Sequence, residues 1–402
     1  MFRISLAAIT LTTAAPALAG PVSLKPLIDV RLRYENVDQT LFARDAEAVT
    51  ARIRAGAEAK SGAVALLVEG EGTLAISERY NSGVNGRIGF PIVPDPENIE
   101  LNRAQLQFTG LPRTVVTLGR QRINLDDQRF VGSVGWRQNE QTFDAVRVEW
   151  TGFKSVKADL TYAWSDRTIW GVNGFGARQQ AVSGDNVFAN LSYKHKHGML
   201  TGFAYLVDQD EAAISGFRMS SKTFGVRYAG TYPLSTAAKL IVAASYARQS
   251  DYHRNPNDFS ADYWLGELGI EVKGFKLLGG YEVLGADGGD ALTSFQTPLA
   301  TLHKFNGWAD KFLVTPPNGL RDTYATAGYT FPKLGPFTAL GLTAAYHDYR
   351  SDRLDQNYGK EIDLQLAGRC KRFGWALKYA DYDASAFGAD TSKFWAQVEW
   401  AL

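Results

Sequence analysis

Lys393-Phe394-Trp395-Ala396-Gln397-Val398-Glu399-Trp400-Ala401-Leu402 closes the chain, and its alternation decides how the rest is read. Phe394, Ala396, Val398, Trp400 and Leu402 share one parity, while Trp395, Gln397, Glu399 and Ala401 share the other. A strand sends successive side chains to opposite faces, so such a segment has one apolar face and one polar face. Segments of this kind recur from Ile28 to the end of the chain. In a soluble sandwich the apolar faces would meet each other. In an outer-membrane barrel they face lipid and the polar ones line a lumen.

The connections carry a second periodicity. Strands are expected at 28–35, 48–60, 64–76, 99–108, 115–121, 143–150, 156–164, 187–194, 199–207, 223–229, 239–247, 264–273, 275–284, 324–331, 337–349, 361–369, 373–382 and 393–402. Tight links such as Lys60-Ser61-Gly62, Gly110-Leu111-Pro112, Lys196-His197-Gly198, Lys273-Gly274 and Cys370-Lys371-Arg372 alternate with long polar ones at 77–98, 122–141, 165–186 and 286–320. Short turns at one end and long loops at the other are what an up-and-down barrel requires; a Greek-key sandwich has no reason to keep that rhythm. The fold expected is therefore all-β: a transmembrane antiparallel up-and-down barrel of about 18 strands. Tyr34, Trp150, Trp164, Tyr193, Tyr205, Tyr246, Trp375 and Trp400 lie near strand ends, where aromatic girdles meet the lipid interfaces.

Met1-Phe2-Arg3, an apolar run and Ala17-Leu18-Ala19 read as a secretory signal peptide over 1–19, leaving 20–402 as a single barrel domain. No stretch reaches about 18 consecutive apolar residues, so a membrane protein here is built of strands. The 43 Lys+Arg against 42 Asp+Glu leave no electrostatic case for nucleic acid. Cys370 is alone, so no intramolecular disulfide forms. The expected setting is the outer membrane of a Gram-negative bacterium, with lipid and the barrel-insertion machinery as partners. Oligomeric state is not legible.

The non-lipid parity lists a channel wall: Asp29, Arg31, Arg33, Glu35, Arg52, Arg54 and Arg103 early on, and Glu267, Glu271, Glu282 and Asp363 later. Arginines gather on the N-terminal wall and carboxylates dominate the C-terminal half. Two readings stay open: a transverse field that orients charged solutes, or cross-strand pairs of Arg52 and Arg54 with Glu69 and Glu71 that merely stabilise the wall.

The densest constellation runs through Gly119-Arg120-Gln121, Asp126-Asp127-Gln128-Arg129, Val131-Gly132, Trp136-Arg137 and Thr142-Phe143-Asp144-Ala145-Val146-Arg147. Its guanidiniums can present planar forks to carboxylates, or pair internally with Asp126, Asp127, Glu140 and Asp144. Arg120 and Arg122 follow Val116 and Leu118 in phase, so either a bulge intervenes or they lie beyond the lipid. At these residues, and at His303-Lys304-Phe305-Asn306-Gly307-Trp308-Ala309-Asp310, the chain resembles the alginate export family of outer-membrane porins. The resemblance implies an 18-stranded barrel with an arginine-rich constriction selecting anionic polysaccharide. It makes Arg120, Arg129, Arg137 and Arg147 the candidates for the electropositive pathway, with Asp126 and Asp144 as partners. Two features depart from it: the chain ends Trp400-Ala401-Leu402 rather than on an aromatic residue, and the wall charges are mixed. Passage of shorter acidic oligosaccharides, or general diffusion of small polar solutes, fits as well as passage of a long polyuronate.

No cofactor or metal is expected. The five histidines are scattered, and Asp287-Gly288-Gly289-Asp290 reads as a turn before it reads as a calcium loop. No Gly-x-Ser-x-Gly or His-Glu-x-x-His motif appears, so the chain is expected not to be an enzyme, with an outer-membrane hydrolase as the competing class.

Overall fold

The computed structural model describes residues 21–402 apart from Ser215. The expected signal segment 1–19 lies outside the described residues. Eighteen strands follow one another: β1 (Ser23–Gln39), β2 (Ala46–Ser61), β3 (Val64–Arg79), β4 (Asn98–Leu111), β5 (Thr114–Gln121), β6 (Thr142–Trp150), β7 (Val156–Arg167), β8 (Ala181–His195) and β9 (Gly198–Val207). The second half comprises β10 (Ser221–Pro233), β11 (Ala238–Asp251), β12 (Ser260–Val272), β13 (Phe275–Leu284), β14 (Leu320–Thr330), β15 (Phe337–Arg350), β16 (Asn357–Cys370), β17 (Phe373–Ala384) and β18 (Thr391–Ala401). Each strand pairs antiparallel with its sequence neighbours, and β1 also pairs with β18, so the sheet closes without an edge. Closure hydrogen-bonds the strand backbones to one another, as hydrocarbon demands.

The closing segment sorts as its alternation dictates. Phe394 and Val398 are 38% and 47% exposed on the outer face, while Trp395 is fully buried inside. Leu32, Ile53, Leu66, Leu268 and Leu364 continue the outer apolar surface, which suits lipid and not water. The tight links and long loops fall where expected, and the strands run beyond their expected ends: β1 reaches from Ser23 to Gln39 rather than 28–35.

The inward parity differs from expectation at the loop end. Phe143, Phe188, Phe203, Tyr205, Tyr263 and Trp395 point inward and are buried with Ile123, Leu125, Phe295, Leu299 and Phe312 from the loops. Tyr205 therefore belongs to the interior and not to a lipid girdle. The reason is that two loops fold back into the barrel and need an apolar core to pack on. One is 122–141, between β5 and β6 (L3); the other is 285–319, between β13 and β14 (L7). Their backbones meet where the Gly132 amide donates to the Leu299 carbonyl (2.9 Å). A Cβ on Gly132 would lie 2.3 Å from Thr301 Oγ1, so the smallest residue permits that approach.

Candidate functional site

The wall below L3 is built by register. Arg31 on β1 pairs with Arg52 on β2, and Asp29 with Arg54, so three guanidiniums stand on adjacent inward positions. Arg31 Nη1 donates to the carbonyls of Gly135 and Trp136 (3.2 and 3.1 Å), which fastens L3 to the wall. Arg33 meets Asp95 of loop 80–97 at 3.3 Å and lies 4.0 Å from the Trp136 ring centre. Arg52 pairs with Asp29, and Arg54 with Glu71 and Glu140. Of the expected wall pairs, Arg54 with Glu71 forms; Glu69 is taken instead by Arg103, bidentately at 2.8 and 2.7 Å. A bulge in the register between β3 and β4 turns Asn102 inward, where its amide donates to Glu69 (2.9 Å) and Glu140 (2.6 Å).

The candidates from the constellation separate into four groups. Arg129 and Arg137, both in L3, are buried inside the barrel. Arg129 donates to Glu282 of β13 (2.7 Å) and Asn306 of L7 (3.0 Å); Arg137 reaches Glu35 of β1 (3.1 Å) and Asp310 of L7 (2.8 Å). Burial lowers a guanidinium, but the facing carboxylates outweigh it and hold both Arg129 and Arg137 above their ordinary range. Arg147 lines the lower wall, bidentate on Asp159 (2.9 and 2.6 Å).

Arg120 and Asp144 stand apart from the lumen. Leu118 is 49% exposed to lipid, and Gly119 pairs with the buried Ala145, so the next residue pair, Arg120 with Asp144, has the outward parity. The two bind each other bidentately at 2.8 and 2.9 Å at the loop-side rim. This corrects their assignment to the substrate pathway: the strand keeps its phase through Gly119, and with it the outer face. Arg122, two residues on, is in L3 and turns in to Glu140 and Glu69. Asp126 pairs with no arginine; its Oδ2 accepts from Asn190 (2.8 Å), and burial together with neighbouring Asp127 raises its carboxyl above the usual range. Arg227 on β10 goes to Asp127 (2.9 Å).

The junction of L3, L7 and the wall uses residues that the sequence alone did not bring together. Lys378, inward on β17, places its ammonium 4.0 Å from the Trp136 ring centre and 3.8 Å from that of Trp308. It also donates to His303 Nε2 (2.8 Å), which leaves the imidazole proton on Nδ1 to donate to Asp310 (2.8 Å). Trp136 stacks on His303 with centroids 4.7 Å apart. Lys393 of β18 approaches the far oxygen of Asp310 at 3.0 Å. Burial pushes His303 well below the imidazole range, so it is neutral; Asp310, with His303, Lys393 and Arg137 around it, lies well below the carboxylate range in spite of its burial. The second nitrogen of this His-Asp pair is occupied by a lysine rather than by a hydroxyl nucleophile. A signal for the junction existed in the segment 303–310, and inward parity marked Glu35 and Lys378 as wall residues; Asp95 and Lys393 carried none.

Gly307 has φ +83°, and a Cβ there would lie 2.3 Å from both Glu361 Oε2 and the Tyr349 hydroxyl. The glycine lets L7 lie flat on β15 and β16, where the Ala309 amide donates to Glu361 (2.7 Å). The folded loops divide the interior. On the turn side is a cavity of about 370 Å³ that includes Glu267, Asp322, Asp363, Arg227 and Lys304. On the loop side is another of about 370 Å³, bordered by L3, L7 and loop 168–180.

A family model described as alginate export matches residues 28–239. No curated protein matches the chain significantly. Among solved structures, OpdQ of Pseudomonas aeruginosa superposes with a TM-score of 0.68 at 15% identity, over 94% of this chain and 99% of that one. OccAB4 of Acinetobacter baumannii gives 0.70 at 13% identity, over 94% and 98%. OpdK of Pseudomonas aeruginosa, solved with vanillate, gives 0.68 at 12% identity, over 94% and 98%. At these identities the likeness concerns the fold: a closed barrel of 18 strands.

Proposed function

The chain belongs to the alginate export family, and from that premise we propose that it is a passive channel for short anionic solutes, acidic saccharides among them. That it is a porin-type barrel of the outer membrane follows from family and fold together. The observation that carries the anionic reading is the cluster of Arg31, Arg52 and Arg54. Although each has a carboxylate nearby, Arg31 Nε and Arg52 Nε and Nη1 have no hydrogen-bond acceptor. Three guanidiniums on adjacent inward positions, with buried donors that no acceptor fills, give this part of the wall a positive field that favours a passing carboxylate. Shortness of the solute is supported by L3 and L7, which fold into the barrel and border cavities of about 370 Å³ each. A long polyuronate would have to displace both loops.

A second reading, a channel for small organic acids generally, is favoured by the same infolded loops and by the likeness to OpdK, solved with vanillate. Both readings demand anion preference. In a salt gradient across a planar bilayer, the reversal potential should report anions over cations, and Arg31→Ala with Arg52→Ala should lower that preference. Cation preference in the unmodified channel, or selectivity indifferent to the two substitutions, would sink the anionic reading. Current block by oligouronates set against vanillate separates the two solute classes.

A further inference from the structure

We propose that the loop-side cavity is a binding site for a solute that carries an ammonium group on an apolar body. Asp166, at the end of β7, sits opposite Phe143 on β6 and Val182 on β8, which sets its side chain inward. It is 3% exposed and lines the cavity of about 370 Å³. Its Oδ1 has no hydrogen-bond partner, and among the described residues no cation lies within ion-pair distance of it. Around it the wall is largely apolar, with Ile169, Trp170, Met219, Leu313 and Val314 contributing. Arg137 also borders the cavity, but its Nη1 and Nη2 are engaged by Glu35 and Asp310.

A buried carboxylate in a largely apolar wall, with one oxygen lacking a hydrogen bond and no counter-charge beside it, is unfavourable, and the protein supplies neither that hydrogen bond nor that charge. An ammonium ligand supplies both at once, and the apolar wall takes the body that carries it. A solute with the body but no N–H donor gains only the wall, and one with a carboxylate meets Asp166 as a like charge. The site thus selects for a cationic amine, a class separate from the anions proposed for the wall around Arg31 and Arg52. L3 lies between the two: its 135–136 carbonyls accept from Arg31, while its Val134 and Arg137 border the cavity.

The test uses the full-length protein in detergent and in planar bilayers, with 2-phenylethylamine and its neutral counterpart 2-phenylethanol added from the loop side. Tryptophan fluorescence and current block each give an affinity. The amine should bind about tenfold more tightly than the alcohol, the worth of one charged hydrogen bond. Asp166→Asn should abolish that ratio while the alcohol binds as before; the variant's heat-dependent gel migration reports whether it folds. Should it not fold, the unmodified protein serves: 3-phenylpropionate, which carries a carboxylate on the same kind of body, should bind more weakly than the alcohol. Equal binding of amine and alcohol by the unmodified protein, 3-phenylpropionate binding as tightly as the amine, or a ratio unchanged in Asp166→Asn, overturns the proposal. Reversal potential is a separate readout, so anion preference and the amine site fail independently.

Discussion

Replacing Arg137 by alanine tests whether L3 is held in the barrel by charge. Its guanidinium bridges Glu35 on the wall and Asp310 in L7, and all three side chains are at most 7% exposed. After the substitution Asp310 keeps His303 at 2.8 Å and Lys393 at 3.0 Å, so it stays compensated. Among the described residues Glu35 loses the one side chain that hydrogen-bonds it, at 3.1 Å. Orphaning one partner of a buried pair costs about 3–5 kcal/mol. With Asp310 still satisfied and Arg33 near Glu35, the lower end applies, which shifts the docked-to-released ratio of L3 about a hundredfold. Single-channel recording should show a second, larger conductance level in Arg137→Ala that is rare in the unmodified channel. Glu35→Gln combined with Arg137→Met should suppress that level, because the stranded charge is gone. Arg137→Ala that folds normally yet shows one level with unchanged open-channel noise would refute the reasoning.

Two further predictions concern the same junction. His303 is neutral when docked because burial holds it well below the imidazole range, with Lys378 and Arg137 reinforcing and Asp310 opposing. The released loop takes up a proton below about pH 6.5 and the docked one does not, so docking weakens as pH falls. Channel noise should therefore grow from about pH 7.5 to 5, and His303→Gln should flatten that dependence; equal slopes in both proteins would contradict it. Gly307→Ala places a methyl against Glu361 and Tyr349 at a left-handed backbone position, which alone costs about 1–2 kcal/mol. L7 should lift and conductance rise while the barrel's melting temperature falls; a variant that conducts and melts like the parent would show L7 free to shift there.

Much of the barrel was legible because a strand's periodicity is local. Phe394 and Val398 face lipid and Trp395 the interior, as their alternation requires. Turn and loop lengths set the up-and-down order without reference to any distant residue. The pathway was less legible. Arg120 and Asp144 carry the family's motif, yet one residue of phase puts them on the outer rim. Asn102 enters the interior through a bulge that no alternation announces.

What the sequence determined by itself was the two-faced strand, its repetition and the presence of a charged inner wall. These follow from side chains two positions apart. Which charges remain free was decided only by the tertiary structure. Arg129 finds Glu282 across 153 positions, Arg137 finds Asp310 across 173, and His303 meets Lys378 because β17 happens to face L7. The inward fold of L3 and L7 sets those distances, and it depends on burying aromatic residues from nine or more separate segments in one place. No local pattern encodes that convergence, so the wall could be read from the sequence and its obstruction could not.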